Sequence, residues 1–152
     1  MKFIADIMLG KLARYLRMAG NDVLYFNNIS DDEILRIAKD QDRIILTRDS
    51  LMLQRKDCKN GTISSSLIKD DDFLDQLKQV KNDLSLNLAP LLSRCLKCNS
   101  LLEKVRKPEV EGKVPPYVFK TQENFLYCAD CSKYYWRGTH YKNMCSTFML
   151  VD

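Results

Sequence analysis

Four of the six cysteines form two CxxC pairs, and this pattern constrains the fold more than any other feature of the chain. Cys95 and Cys98 make the first pair, and Cys128 and Cys131 make the second pair after 29 intervening residues. Two thiolates on one tight turn can face the same cation, and two such turns close a tetrahedron around Zn²⁺ with no open position for catalysis. The spacing therefore predicts a structural zinc site in the C-terminal part of the chain.

Two other uses of paired cysteines are weaker alternatives. A disulfide framework is typical of secreted proteins, but the segment Met1–Asp6 reaches a carboxylate before the apolar region of a signal peptide can form. This start predicts a cytoplasmic protein. A thioredoxin-like redox site needs one CxxC rather than two. Zinc is therefore favoured, and we interpret Cys58 and Cys145 as incidental small residues.

The net charge of +4 is concentrated in the cysteine-rich part of the sequence. Residues 1–88 carry 14 Lys and Arg against 14 Asp and Glu, whereas residues 89–152 carry 10 against 6. The excess favours a polyanionic partner, with an ordinary solvated surface as the alternative. This boundary predicts two domains, residues 1–88 and 92–152, joined through Ala89-Pro90. No apolar run approaches the ~18 residues that span a bilayer, so we expect no contact with a membrane.

Short apolar runs alternate with helical patterns over the first 88 residues. Strands are predicted at Lys2–Ala5, Val23–Phe26, Arg43–Thr47 and 62–64, and helical patterns lie at 9–20, 30–38, 51–53 and 73–80. Strands and helices that alternate over short connections form parallel sheets with right-handed crossovers. The sequence therefore predicts an α/β fold with a three-layer, parallel-sheet domain.

Three carboxylates follow the strands of this predicted sheet. Asp6 follows the first strand, Asp49 follows the third, and Asp31 begins the helix after the second. Ligands of open parallel sheets gather outside the carboxyl ends of the strands. Carboxylates that lie close together need a cation between them, and hard oxygen ligands favour Mg²⁺ or Mn²⁺, which can activate water for attack on a phosphoryl group. For Asp31, a simple helix cap is the alternative.

Basic and aromatic side chains suggest where a nucleic acid would bind. Lys11, Arg14 and Arg17 recur every three residues opposite the apolar face of the first helix, as either phosphate contacts or a solvated face. Trp136 and His140 lie among basic and aromatic residues that suit single-stranded RNA, although Trp136 also fits a small core. We interpret His140 as a surface or packing residue because four cysteines already complete a zinc tetrahedron.

The order of these motifs is more specific than any one of them. The segments concerned are Phe3–Asp6, Leu9–Arg17, Asp31–Ala38, Arg43–Asp49, the two CxxC turns and Tyr135–Tyr141. Together they resemble the Mut-seven C-terminal RNase family over nearly the whole chain. The resemblance implies a PIN-like nuclease fold followed by a zinc ribbon that aids RNA binding. It also implies a metal-dependent ribonuclease with RNA as partner, and a ribosome or another RNA–protein assembly is a further candidate partner.

The resemblance also implies roles for individual residues. Asp6, Asp31 and Asp49 match the catalytic acids and would hold Mg²⁺ or Mn²⁺, with Thr47 and Arg48 in the strand end of the same pattern. Arg48 would hold phosphate together with the basic residues of the first helix. A fourth acid stays open among several candidates, which are Asp32, Glu33 and the triplet Asp70–Asp72. Two rival functions are a non-catalytic RNA-binding or adaptor protein with the same fold and a small-molecule phosphatase.

Overall fold

The computed structural model describes residues 1–151 and contains a four-stranded parallel sheet, as the alternating pattern predicts. Its strands, in the spatial order β2-β1-β3-β4, are β1 (Lys2–Ala5), β2 (Asp22–Tyr25), β3 (Ile44–Thr47) and β4 (Ser65–Leu67). The prediction for the fourth strand, at 62–64, was placed too early. The backbone N–H of Ile63 donates to the Asp57 carbonyl at 2.8 Å, and its buried side chain packs beneath the sheet, so the strand starts at Ser65, three residues after the predicted start.

Five helices connect and follow these strands: α1 (Gly10–Met18), α2 (Asp31–Gln41), α3 (Ser50–Gln54), α4 (Lys56–Lys59) and α5 (Phe73–Asp83). Their ends follow from local chemistry. The Ser30 hydroxyl accepts a hydrogen bond from the Glu33 backbone N–H at 3.2 Å and caps α2. After α1, Gly20 adopts a φ of +85°, a left-handed conformation that glycine accepts without strain.

The sheet lies between two apolar layers because successive side chains of a strand point to opposite faces. In β1, Phe3 and Ala5 join one buried cluster with Leu12 of α1 and Leu77 of α5. Ile4 points the other way and joins a second cluster, whose buried members on that face include residues of α2 and β3. Helices therefore cover both faces, and the strand ends are the parts of the sheet left open to ligands.

The cysteine-rich part contains a second, smaller sheet. It is antiparallel, and its strands are β5 (Glu103–Val105), β6 (Phe125–Cys128) and β7 (Lys133–Tyr135). Three further helices are α6 (Lys107–Val110), α7 (Pro116–Thr121) and α8 (Thr139–Met149). No helix in residues 1–151 is both long enough and apolar enough to cross a bilayer.

The last helix returns to the first part of the chain. The rings of Tyr15 in α1 and Phe148 in α8 lie 5.6 Å apart, edge to face, and the Tyr15 and Thr147 hydroxyls are 3.3 Å apart. One buried cluster runs from Phe3 in the parallel sheet to Cys128 in the small sheet. The two predicted domains therefore share a continuous core.

Candidate active site and metal centre

The four CxxC cysteines meet at one point. Their sulfur atoms all lie within 4.8 Å of one another. The Cys95 and Cys131 sulfurs are 3.9 Å apart, and those of Cys98 and Cys128 are 3.4 Å apart. Zinc bound tetrahedrally to four thiolates at about 2.3 Å would hold the sulfurs about 3.8 Å apart. The four cysteines can therefore hold a zinc ion, as the spacing predicts.

The ionisation of these thiols also suits a bound cation. Burial opposes ionisation of Cys98, but hydrogen bonds from Ser100 and the neighbouring thiols outweigh it and lower the pKa of Cys98 to about 6. The interaction with Cys98, followed by burial, raises the pKa of Cys131 to about 12. Ionisation of one thiol therefore opposes ionisation of the next, and a divalent cation offsets this repulsion because it attracts all four thiolates.

Tyr135 contacts the first CxxC turn through its hydroxyl group. Its hydroxyl lies 3.1 Å from the Cys95 sulfur and accepts a hydrogen bond from the Leu96 backbone N–H at 3.1 Å. Burial is the main cause of a raised pKa for the Tyr135 hydroxyl. The hydroxyl therefore stays protonated and can donate to a thiolate, which fixes the orientation of a metal ligand.

Arg17 joins this turn to the parallel sheet. Its Nε donates to the Val23 carbonyl at 2.9 Å, and its Nη1 donates to the carbonyls of Leu96 and Lys97 at 3.0 Å. The residue is only 4% exposed. This corrects the prediction that Arg17 contacts RNA, because the guanidinium is buried against protein acceptors.

Asp22 completes this junction at the amino edge of the parallel sheet, where β2 begins. Asn99 donates to its Oδ1 at 2.7 Å and accepts from the Val23 backbone N–H at 2.9 Å, while Arg43 donates to the same Oδ1 at 2.8 Å. Burial opposes ionisation of Asp22, but the hydrogen bonds from Arg43 and Asn99 and the nearby positive charges outweigh it. The pKa of the Asp22 carboxyl is therefore held below its ordinary value.

Asp6 lies at the opposite, carboxyl edge of the sheet and is held by neutral donors. Its Oδ1 accepts from the Met8 backbone N–H at 2.9 Å. Its Oδ2 accepts from the Thr47 hydroxyl at 2.6 Å and from the Arg48 backbone N–H at 2.9 Å. The residue is 8% exposed. These bonds fix the carboxylate and leave its charge without a cationic partner in residues 1–151.

Asp49 is connected to Asp6 through Thr47. The Thr47 hydroxyl, which donates to Asp6, also accepts from the Asp49 backbone N–H at 3.0 Å. Asp49 itself caps α3, with its Oδ1 accepting from the Leu51 backbone N–H at 2.9 Å. Sequence reasoning missed this cap, although an aspartate directly before a short apolar helical pattern is a signal for one. The other oxygen accepts no hydrogen bond in the described part of the chain.

The third predicted acid, Asp31, is the first residue of α2 and is exposed. Within residues 1–151, its carboxylate makes no ion pair or hydrogen bond. The three acids do not approach as closely as the cysteines do. In the described chain, the cysteine cluster is the one group of three or more His, Cys, Asp or Glu side chains with all ligand atoms within 4.8 Å of one another.

Several candidates for a fourth acid are paired with cations. Asp32 forms an ion pair with Arg55, and Glu33 forms one with Arg36. Within the triplet, Asp71 pairs with the guanidinium of Arg48. Asp72 caps α5 by accepting hydrogen bonds from two backbone N–H groups.

The predicted phosphate-binding side chains of the parallel-sheet part differ in exposure and in their contacts with other protein groups. Arg14 is exposed and makes no ion pair within residues 1–151. Lys11 is exposed, with its Nζ 4.3 Å from the ring centre of Phe73. Arg48 donates a hydrogen bond to the Asp70 carbonyl at 2.8 Å and also forms an ion pair with the Asp71 carboxylate. Of these three predicted phosphate contacts, Arg14 is the least engaged with other protein groups.

Trp136 and His140, the predicted RNA contacts of the cysteine-rich part, lie near one another in the sequence but differ in exposure. Trp136 is partly exposed, and its ring packs edge to face on Phe125 at 6.4 Å. His140 is exposed at the start of α8, and it is not a member of the cysteine cluster.

Exposed apolar side chains adjoin the carboxylates. Ile7 and Met8 follow β1, Phe26 follows β2 and Leu51 follows β3, so all four lie on the carboxyl side of the sheet. They are 53%, 67%, 40% and 72% exposed, respectively. Carboxylates that only face water are typically surrounded by polar side chains. These side chains instead offer contacts to the apolar faces of a ligand.

Comparison with known proteins gives one match. The family model described as Mut7-C RNAse domain matches residues 1–148. No curated protein and no solved structure matches the chain.

Proposed function

The chain belongs to the Mut7-C RNAse domain family, and from this premise we propose that it hydrolyses RNA phosphodiester bonds at the carboxyl edge of its four-stranded sheet. The family points to a ribonuclease and so to RNA as substrate. The observation that carries the assignment to this edge is that Asp6 and Asp49 form no ion pair within residues 1–151 and Asp31 has only a longer-range attraction to Arg55, whereas the neighbouring Asp32, Glu33 and Asp71 are ion-paired.

The proposal assigns a divalent cation, Mg²⁺ or Mn²⁺, to Asp6 and Asp49. Magnesium is commonly bound through one or two carboxylates and keeps several waters, so the wide spacing of the three acids suits it better than a direct three-carboxylate cage. When bound, such an ion polarises a phosphoryl group and lowers the pKa of water. Thr47 holds Asp6 in place, and Asp31 orients water or substrate.

Cationic and apolar side chains near this edge would hold the RNA. We assign phosphate contacts to Lys11, Arg14 and Arg48, and we leave Arg17 out because it is buried. Phe26 and the other exposed apolar residues beside the acids would contact bases, since aromatic and apolar side chains stack on base faces. In the cysteine-rich part, Trp136 and His140 would add RNA contacts.

The finer structural terms belong to the same proposal. Residues 1–88 would be a PIN-like domain, and residues 92–152 would be a zinc ribbon whose metal is structural. The proposed location is the cytoplasm, with RNA alone or within a larger RNA–protein assembly as the partner.

Cleavage of end-labelled RNA tests the proposal. The wild type is expected to cut only when Mg²⁺ or Mn²⁺ is added. Asp6→Asn and Asp49→Asn should bind RNA but cut at least about 100-fold more slowly, because each removes a charge that holds the cation. Asparagine can still cap a helix, so Asp49→Asn should fold normally. Asp40→Asn is the matched control, since it removes one exposed charge from the far end of α2.

Two results would contradict the proposal. If the wild type and all three variants behave alike, the acids are not catalytic, and equal binding without cleavage identifies an adaptor. If the wild type instead hydrolyses a generic phosphate monoester and leaves RNA intact, the site is that of a phosphatase.

A further inference from the structure

A cleft of about 550 Å³ opens at one end of the small antiparallel sheet, and none of Asp6, Asp31 and Asp49 lines it. Its walls come from the end of β5, the start of β6 and the end of β7, with Leu92 of the connecting segment at one side. Ligand pockets commonly have volumes of about 300–1,000 Å³. The cleft is therefore large enough for a small ligand or for a short segment of a polymer.

The ionic groups of the cleft are mostly positive. Four cations line it, Lys104, Arg106, Lys107 and Arg137, against one carboxylate, Glu123. Lys107 and Glu123 pair at 2.9 Å and neutralise one another. Lys104 and Arg137 are exposed and have no ion pair in residues 1–151, whereas Arg106 forms a long, exposed pair with Glu109 at 3.7 Å. Solvent screens such a pair, so Arg106 can exchange Glu109 for a phosphate, and together with the two unpaired cations its charge suits a polyanion.

The two cations of the β5 wall point the same way. Lys104 and Arg106 are two residues apart in extended backbone, so their side chains project from one face of the sheet. Leu126 of β6 lies directly opposite Lys104 in the strand register and continues that face. The cleft thus has a row of positive charge beside an apolar floor.

The aromatic wall is Trp136. Its ring is held edge to face on Phe125 at 6.4 Å. On the other side, a Cβ atom at Gly138 would lie 2.8 Å from the indole nitrogen, so the glycine allows the chain to pass close to the ring. A partly exposed indole fixed in this way is a stacking surface for a base, and stacking requires no particular sequence.

We propose that this cleft binds a short single-stranded segment of RNA, with phosphates on Lys104 and Arg106 and a base against Trp136. The proposal rests on the proposed ribonuclease function and specifies its substrate as single-stranded. Bases of an RNA duplex are already stacked on one another and cannot reach an aromatic side chain. The basic residues Lys11 and Arg14 of α1 would contact phosphates only, so they would not distinguish single-stranded from double-stranded RNA.

Trp136 is the sole tryptophan, so its fluorescence reports directly on the cleft. The full chain with its zinc is titrated with a single-stranded RNA oligonucleotide and no added Mg²⁺ or Mn²⁺, and a gel confirms that the strand stays intact. Saturable quenching is expected with the single strand and little quenching with the matching duplex. Anisotropy of a labelled oligonucleotide measures total binding in the same samples.

The Lys104→Ala/Arg106→Ala double variant tests the phosphate contacts. We expect at least about fivefold weaker binding at moderate salt. The slope of log K against log salt should fall by about 1.4, because each phosphate contact on a single strand contributes about 0.7. The matched control is Lys56→Ala/Lys59→Ala, which removes two exposed charges from α4 and should bind as the wild type does.

The outcomes separate this proposal from the proposed function. If RNA binds without changing Trp136 emission, or if the double variant binds as tightly as the wild type, the cleft proposal is wrong while cleavage at the acids is untouched. Equal quenching by the duplex overturns the single-strand assignment. Equal quenching by poly-glutamate identifies an acidic protein segment as the occupant and also overturns it. Quenching that behaves as expected in a protein that never cleaves RNA supports the cleft and contradicts the nuclease proposal.

Discussion

The two ends of the parallel sheet carry aspartates in opposite environments. At the amino edge, Asp22 bonds to Arg43 at 2.8 Å and lies 3.9 Å from Arg94, so its charge is neutralised. At the carboxyl edge, Asp6 and Asp49 accept hydrogen bonds from neutral groups and have no cationic partner in the described chain. One end therefore uses a carboxylate to join parts of the structure, and the other keeps negative charge available.

This difference shows how to separate structural from functional acids. A buried carboxylate with a cation beside it adds to stability, and removing either partner leaves an uncompensated charge. A carboxylate held by a hydroxyl and backbone N–H groups is fixed in position but still attracts a positive ion. The comparison predicts that changes at the amino edge lower stability, whereas changes at the carboxyl edge lower activity.

Loss of zinc should have the largest effect, because the first CxxC turn docks on the amino edge through Arg17. Zinc binding to a structural site contributes on the order of 10 kcal/mol to folding in zinc-finger peptides. Cys128→Ser, or treatment with a strong chelator, is therefore expected to unfold the cysteine-rich part and expose β2. Circular dichroism and a colorimetric zinc assay measure both changes.

Cys58→Ser is the control for this experiment, since Cys58 is partly buried and lies outside the cluster. If Cys128→Ser contains no less zinc and melts at the wild-type temperature, the four cysteines hold no stabilising metal. The amino edge would then be joined to a part of the chain that is stable without one.

Arg43→Ala is expected to show the next largest effect, a loss of about 3 kcal/mol in unfolding free energy, because it leaves Asp22 partly buried without its main partner. Arg36→Ala is the matched control. Arg36 also pairs with carboxylates, those of Glu33 and Asp40, but its side chain is 60% exposed, so solvent screens both pairs and a much smaller loss is expected. Urea denaturation measures both. Equal losses in the two variants would show that burial does not distinguish the amino edge.

The sequence predicted the sheet well because the signals are local. Alternating apolar runs and capping residues predicted the strands and helices of the first 88 residues to within a few residues, apart from α4, and the CxxC spacing predicted the cysteine cluster. The neighbouring positions of Asp6 and Thr47 follow from the pairing of Ala5 with Leu46 in adjacent parallel strands. What the sequence could not supply were partners that lie far away along the chain.

Arg17 shows this limit clearly. Three residues turn a helix through about 300°, so each member of an every-third-residue stripe drifts about 60°, and Arg17 lies about 120° around α1 from Lys11. Two of its three carbonyl acceptors come from residues 79 and 80 positions further on. The choice among acids depended on similar contacts, since the partner of Asp32 is Arg55, 23 positions away. Only the folded chain shows which carboxylates remain unpaired.

Asp31→Asn sharpens the comparison from the carboxyl edge. Asp31 forms no hydrogen bond or ion pair in the described chain, and its attractions to the helix dipole and to Arg55 are exposed to solvent, so the unfolding free energy of Asp31→Asn should stay within about 0.5 kcal/mol of the wild-type value. Cleavage of RNA should fall by about 10- to 100-fold, as expected for a residue that orients a metal site. Asp40→Asn, at the other end of the same helix, should change neither. A variant that melts early and cleaves normally would reverse the assignment of Asp31.

The smallest expected effect is the acid dependence of the amino edge. Since the pKa of Asp22 is lowered in the folded chain, its ionisation stabilises the fold fully above the unfolded pKa of about 3.9 and progressively less as the pH falls below that value. Asp22→Asn should be less stable at neutral pH and should lose less stability on acidification.

Urea denaturation of both proteins from pH 7 to 3 measures this difference. Any acid-induced change at the cysteine cluster is common to both proteins, so the gap between the two curves isolates Asp22. The gap should narrow as the pH falls through the lowered pKa of Asp22. A gap that stays constant with pH would mean that the charge of Asp22 contributes nothing to stability. In that case the two edges of the sheet would differ in packing alone, and the absence of cations around Asp6 and Asp49 would no longer indicate a functional role.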